Sequence, residues 1–530
     1  MIAKPRRIPA PVERVLAAAR SAPIPTGFAD PISPTPFAGG VRWFSEPDVI
    51  EGLERVAETR SWGDGGTELT MRASWRVGMP YFGWLFAPLI ARGVRASLEH
   101  MADVLEARAL DRPEPAAPNR PAWLPRDPTT RTQAGSIATI CAALVVAGFG
   151  GSLFTQALPF LAKSFHASDA DLGVALSVTR VGTLVGLVGA ALADRRGRRR
   201  ILLVSVVGVC VASALSALTP NLVSFAALQV IVRGFVQLAS VVGYIAVTEE
   251  SPEGSRAFLL AFAGMSFGAG FAIGAALVPI GDIAAGSWRI MFAVGALGLL
   301  LVPGFARRMT ETRRYAAMSA RAAAARGREL VDRVYGGRFA VVAGLAFLLG
   351  FFGAPSLQFT NQYLSDVRGY SGVGITLLRA VTQALPGLVA IVIGGRLAES
   401  SGRKPVAARA TMLLAGATIG FFLLGGPALW LMMLIGTVAG ALGGPAMTTF
   451  TTELFPTEVR GRAGAALLGA SVLGAVGGLL LVGYLADPLG DVGKAVAVTC
   501  IAPVVVAVFL IPRLPEGGGR ALDELSPPEV

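Results

Sequence analysis

Charged side chains are scarce in this sequence, and histidine is nearly absent. Only 15% of the 530 residues are Asp, Glu, Lys or Arg, against about 25% in soluble domains, so much of the chain faces something other than water. Two histidines, His100 and His166, lie outside the apolar runs and offer no proton relay. The three cysteines, Cys141, Cys210 and Cys500, all sit within apolar runs and share no spacing of a metal site or disulfide framework. No glycine-rich phosphate loop is present, which excludes ATP as the drive. No nucleophile–base pair is readable, so catalysis has no support, and neither metal nor cofactor is expected. The N-terminus is basic but leads into no apolar core with a cleavage site, so no signal peptide is expected.

Long apolar runs fill the space these absences leave. Hydrophobic residues make up 53% of the chain and mean hydropathy is +0.59. Polarity is ordinary up to about residue 131; beyond it, apolar runs long enough to cross about 30 Å of hydrocarbon alternate with short polar breaks. Twelve spans are predicted, at 135–160, 171–193, 201–218, 223–246, 257–280 and 287–304, then 340–359, 373–397, 406–424, 428–450, 463–485 and 492–512. The long break at 305–339 divides them six and six.

A net charge of +12 raises the prospect of a nucleic-acid partner, but the placement of the charges argues against one. Arg195, Arg196, Arg198, Arg199 and Arg200 follow span two, and Arg307, Arg308, Arg313, Arg314, Arg321, Arg326, Arg328, Arg333 and Arg338 fill the central break. The breaks of the other set hold little more than Lys163, Arg289, Arg368 and Lys494. This is the positive-inside pattern of a multi-pass inner-membrane protein with both termini in the cytoplasm. Anionic membrane lipid is a secondary partner of the same arginines.

The two halves repeat. Asp194-Arg195-Arg196-Gly197-Arg198-Arg199 follows span two, and Glu399-Ser400-Ser401-Gly402-Arg403-Lys404 follows span eight, with Glu399 205 residues after Asp194. Glu249-x-x-Pro252-x-x-x-Arg256 follows span four and Glu453-x-x-Pro456-x-x-x-Arg460 follows span ten, an offset of 204. Two unrelated motifs at nearly one offset mark a duplication, parallel because six spans separate the copies. Ahead of the spans, Leu69, Met71, Ala73, Trp75 and Val77 alternate as a strand, with Gly63-Asp64-Gly65-Gly66 closing a hairpin onto 54–62. Ile90, Val94, Leu98, Met101 and Leu105 then share one helix face. This hairpin and helix resemble the C-terminal part of helix-grip lipid-binding domains but are too short for that fold. A small α+β appendage resting on the membrane is the expectation, tethered by six prolines between 113 and 128.

The run Ala190 to Arg199 resembles the signature loop between spans two and three of the major facilitator superfamily, and Gly395 to Lys404 resembles its second copy. Ala190 stands where the family has glycine, and Glu399 where it has aspartate. The Glu-x-x-Pro-x-x-x-Arg copies, and Glu311-Thr312-Arg313-Arg314-Tyr315 without the expected proline, resemble loops of sugar porters and metabolite–proton symporters. The resemblance covers about residues 135–512. It implies an all-α membrane protein of twelve helices in two six-helix bundles that rock about a central site. The expected layout is an N-terminal cytoplasmic appendage at 1–110, a linker at 111–134, bundles at 135–304 and 340–512, a cytoplasmic central loop at 305–339 and a cytoplasmic tail at 513–530. It further implies gating by Asp194, Gly197, Arg198, Glu249, Arg256, Glu399, Gly402, Arg403, Glu453 and Arg460. A tight loop needs its glycine, and a carboxylate at a helix end can meet a neighbouring arginine and release it.

Charges inside the spans bear on the substrate. Arg180, Arg233 and Arg379 lie within spans two, four and eight with no carboxylate inside the spans beside them. Each costs roughly 2.5–3.5 kcal/mol to insert at mid-membrane. A guanidinium suits bidentate capture of an anion, although backbone carbonyls can also satisfy it. Gln156 in span one and Gln383 in span eight are further pocket candidates, and Pro386 is expected to kink span eight. Glycines spaced four apart in spans five and ten fit close helix packing.

The expected function is secondary active transport of a small polar solute, an organic anion or sugar-like metabolite, by ion-coupled uptake with the proton as the leading coupling ion. Span one lacks the carboxylate of proton-coupled sugar porters, so the proton's carrier is not visible. The alternatives are an efflux pump for amphipathic compounds and a non-transporting membrane sensor. Topology reporters fused within 194–200 and within 399–404 are expected to report one and the same face of the membrane; opposite faces would contradict the parallel duplication.

Overall fold

Backbone in hydrocarbon must satisfy its own hydrogen bonds, which is why apolar runs of this length form helices. The structure, a computed structural model, describes residues 5–21, 23–24, 34–45, 50–63, 65–119, 129–185, 193, 196–252, 255–311, 336–453 and 457–514, without side chains at several helix ends, 398–400 and 448–463 among them. Two compact units divide the chain. One comprises Met1–Ala143, Gly243–Ser266 and Gly304–Ala316; the other comprises Leu144–Val242, Phe267–Pro303 and Ala317–Val530.

In the first unit, strands β1 (Arg6–Ile8), β2 (Thr35–Phe37), β3 (Gly40–Ser45), β4 (Ile50–Trp62) and β5 (Gly66–Val77) form an antiparallel sheet in the order β1-β5-β4-β3-β2. The β4–β5 hairpin pairs Trp62 with Gly66 and Ile50 with Val77. Helices α1 (Val12–Ser21) and α2 (Gly83–Ala109) belong to the same unit. Ile90, Val94, Leu98, Met101 and Leu105 of α2 are all fully buried, in one core with Trp43, Leu53, Leu69 and Met71. The sheet exceeds the expected hairpin because β1, β2 and β3, at three to six residues, are too short to show a period. Tyr81 and Phe82, just before α2, and Phe86 in its first turn carry a ring cluster. Phe82 and Phe86 meet Phe262 edge-on at centroid distances of 5.4 and 5.7 Å, and Tyr81 meets Phe305 at 5.3 Å.

Among the described residues, twelve helical segments follow, α3 (Arg131–Phe165), α4 (Asp169–Thr183), α5 (Arg198–Ser216), α6 (Leu222–Glu250), α7 (Arg256–Ala276), α8 (Trp288–Arg308), α9 (Phe339–Val367), α10 (372–400), α11 (Arg403–Leu423), α12 (Gly426–Glu453), α13 (Thr457–Leu489) and α14 (Val492–Arg513). Among the described residues, eleven helices are long and apolar enough to cross a membrane. The remaining segment, α4, is described continuously only to Val185, so the rest of the second predicted span lies mainly outside the described residues, as do residues 312–335 of the predicted central loop. Ser168 starts α4 with a reciprocal cap: its hydroxyl accepts from Asp171 N at 3.2 Å, and the Asp171 carboxylate accepts from Ser168 N at 3.0 Å. In α10 a π-helical turn at Ala380–Ala384 precedes Leu385 and Pro386, where the missing proline N–H breaks the regular ladder.

The duplication is visible in local geometry. Gly197 precedes α5 at φ 88° and ψ 144°, and Gly402 precedes α11 at φ 88° and ψ 148°. That region is essentially reserved for glycine, at a cost of about 1–3 kcal/mol for other residues. Helix contacts repeat too: a Cβ on Gly270 of α7 would lie 2.0 Å from Val145 O on α3, and one on Gly474 of α13 would lie 1.9 Å from Phe347 O on α9. We expect Gly197→Ala and Gly402→Ala each to lower stability by about 1–3 kcal/mol, measured by thermal unfolding in detergent, whereas Gly416→Ala, where a methyl meets open space, changes it far less.

Candidate substrate site

Within the second unit, the helices of the two sequence halves meet along a seam near the loops at 166–168 and 368–371. Gly173 of α4 and Gly483 of α13 touch backbone to backbone, and a Cβ on Gly173 would lie 2.8 Å from Leu479 O and 3.0 Å from the Gly483 Cα. Four residues further along α4, the Ser177 hydroxyl donates to Val476 O at 3.3 Å. Lys163 at the end of α3 pairs with Asp366 of α9 at 3.3 Å. Asp282 accepts from Gly372 N, and the Thr376 hydroxyl donates to Ala275 O at 3.0 Å. Asp169, first residue of α4, accepts from the Gln362 amide of α9.

Deeper along the same seam the polar groups are fully buried. Thr155 of α3 donates to Gln358 of α9, and Asn361 Nδ2 donates to Gln156 Oε1 at 2.8 Å. Gln156 and Asn361 are both 0% exposed, yet Gln156 Nε2 and Asn361 Oδ1 have no partner among the described residues. One donor and one acceptor are therefore left without a protein partner in a buried place, where an unmade hydrogen bond costs about 1–3 kcal/mol.

Arg233 of α6 borders a cavity of 20 Å³ together with Thr155, Thr179, Gln229 and Gln358. That volume is close to what one water requires. Arg180 lies on α4, which packs closely on α6 at this level: a Cβ on Gly182 would lie 3.0 Å from the Arg233 Cβ. Beside the apolar Phe154 and Val232, the polar side chains around this cavity are guanidinium, hydroxyl and carboxamide, with no carboxylate in its lining. Such a lining complements an acceptor-rich solute.

The other predicted ligands lie elsewhere. Gln383 borders a separate cavity of 280 Å³ among α9 to α12, lined mainly by apolar groups such as Phe352, Phe421, Met432 and Met433. Arg379 is half-buried one turn before Gln383, borders neither cavity, and its Nε lacks an acceptor among the described residues. The structure thus places Arg233 at the Thr155–Gln358 seam and Arg180 on the adjoining helix, bordering neither cavity, and does not place Arg379 or Gln383 there. The sequence reading missed Thr360, Asn361 and Gln362 because it ended span seven at 359. In fact α9 continues through a π-helical turn to Val367 and carries those amides to the seam.

Of the predicted gating residues, Gly197 and Gly402 cap their helices as described, and Arg198 is buried with its guanidinium donating to Ala193 O at 3.3 Å. Glu249 and Arg256 flank the break between α6 and α7, and Arg403 opens α11. Asp194 lies outside the described residues, as do the side chains of Glu399, Glu453 and Arg460.

A duplicated helical membrane protein with polar groups buried along its seam is the architecture of a transporter. The chain belongs to the Major Facilitator Superfamily, which it matches over residues 140–468 and 380–524. It is 25% identical over 394 residues, 71% of this chain and 89% of the other, to a probable 4-methylmuconolactone transporter of Cupriavidus pinatubonensis. The fold is similar to the inward-open xylose transporter XylE from E. coli, with a TM-score of 0.62 and 18% identity over 73% of this chain and 98% of that one. It is also similar to a bacterial homolog of the human lysosomal transporter Spinster, with a TM-score of 0.55 and 17% identity over 72% and 95%. The chain is accordingly a multi-pass membrane transporter of the two-bundle fold, not an enzyme.

Proposed function

We propose that this transporter moves a small anionic or acceptor-rich organic solute by alternating access, with Arg233 and Arg180 as its recognition groups. The observation that carries the reading is the cavity beside Arg233, bordered by four hydroxyl and amide side chains and by no carboxylate. Two guanidiniums on helices packed this closely gain most from a ligand of opposite charge, because a charged hydrogen bond is worth about 1.5–3 kcal/mol. The unused donor of Gln156 and acceptor of Asn361 add a place for a hydroxyl or carbonyl of the same solute. A relative named for a small organic lactone supports organic solutes over inorganic anions.

The layout we propose has twelve spans in the inner membrane, both termini in the cytoplasm, and residues 1–110 as a cytoplasmic appendage. The arginine-rich loops after spans two and six support it. On that reading the seam near residues 166–168 faces outward, and its direct contacts describe a transporter closed to the outside. Uptake coupled to a proton gradient is the proposed direction and drive.

The test is a thermal-shift screen of the purified protein against organic acids, sugars and inorganic anions. An organic acid is expected to raise the midpoint in the wild type and to lose that effect in Arg233→Ala, while Arg379→Ala keeps it. Stabilisation by neutral or cationic compounds alone would overturn the reading.

A further inference from the structure

Span one carries no acid, but one stands at the outer seam, where a proton can act on the gate without being carried across the membrane. Asp169 begins α4 where the two halves touch, half-buried, with its carboxylate against the amide of Gln362 on α9. Gln362 is itself only 4% exposed, and its Oε1 is buried with no donor among the described residues. The amide thus gives one hydrogen bond to the carboxylate and holds an idle acceptor within the same buried contact. A carboxylate has no hydrogen to offer that acceptor, whereas a carboxylic acid has one.

We propose that Asp169 is a proton-binding site whose protonation closes the outer seam, and so links the transport cycle to external pH. The inference rests on the proposed alternating-access reading. On closing, Asp169 takes one proton from the outer water, and its new O–H donates to Gln362 Oε1. On opening, water replaces the amide, the carboxyl ionises, and the same proton returns to the outer water.

The surroundings favour the neutral form when the seam is shut. Burial raises the Asp169 pKa above its ordinary value, the bond from Gln362 offsets part of this, and Asp487 of α13 and Asp366 of α9 raise it further. The other charged groups at this end are engaged or exposed. Asp171 is held by Ser168, Lys163 pairs with Asp366, Asp491 pairs with Lys494 at 3.5 Å, and His166 is exposed in the loop between α3 and α4. The sign follows. A group whose pKa is raised in the closed state gives closure extra stability below its hydrated pKa, and that stability is lost as pH rises through the raised value. Between the two values the closed-to-open ratio falls by about tenfold per pH unit.

The experiment measures the distance between spin labels at Ser164→Cys on α3 and Leu489→Cys on α13, both exposed positions at this end, in the full-length protein in lipid nanodiscs. In the wild-type background the separated population is expected to grow as pH rises above the ordinary carboxylate range. Asp169→Asn, which is neutral and offers both donor and acceptor, is expected to stay closed throughout. Asp487→Asn removes a like charge from an exposed position and is expected to move the midpoint to lower pH, which keeps the test open if the first variant folds poorly. A wild-type distribution that ignores pH, or an Asp169→Asn protein that keeps the wild-type response, overturns the assignment. No substrate is needed, so a failure here is distinct from a failure of the solute screen, which tests the transport reading itself.

Discussion

Gly173 and Gly483 let two helical halves approach backbone to backbone, and much of the transport account hangs on that contact. A methyl at Gly173 would lie 2.8 Å from Leu479 O, closer than real Cβ atoms come to other heavy atoms. Close approach without side chains gives van der Waals contact over a short length and little that is irreversible. Around it the seam uses single hydrogen bonds and one exposed ion pair, Lys163–Asp366 at 3.3 Å, each of which water can replace. An ion pair of that kind is worth no more than about 1 kcal/mol. The seam is therefore tight in shape and modest in energy, as a gate that opens in every cycle must be.

Behind the glycine contact the character of the seam changes. Gln156 and Asn361 are fully buried and only half satisfied, and Arg233 borders a cavity with room for about one water. Unpaired polar groups in a low-dielectric interior store free energy that a correctly shaped ligand recovers. The proposed gate and the proposed recognition groups share two helices, α4 and α9. Asp169 and Arg180 lie on the first, Gln358, Asn361 and Gln362 on the second, so movement at one site is felt at the other through rigid elements.

The architecture was legible from the sequence because hydrocarbon imposes it: apolar runs of fixed length, basic loops on one side, and a duplication visible in Gly197 and Gly402. The candidate site was legible only in part. Arg180 and Arg233 stood out because arginine is costly in lipid, and the structure sets them on adjoining helices. Arg379 and Gln383 stood out for the same reasons but lie apart from that cavity, since the rotation of each helix about its axis is set by packing that a single sequence does not display. Asn361 and Gln362 were hidden by their polarity. Their amides read as a loop, whereas α9 carries them in helix just ahead of its π-helical turn. In the N-terminal unit the long hairpin and α2 were readable from period, and the three short strands were not.

Shape complementarity at the seam, with release on each cycle, is the central claim, and a reversible crosslink tests it most directly. With cysteines replacing Lys163 and Asp366, the exposed pair that spans the seam beside the glycine contact, a reducible bifunctional thiol reagent is expected to join α3 to α9 and stop solute flux in proteoliposomes, and reduction to restore it. Flux that continues with the crosslink fully formed would contradict the account.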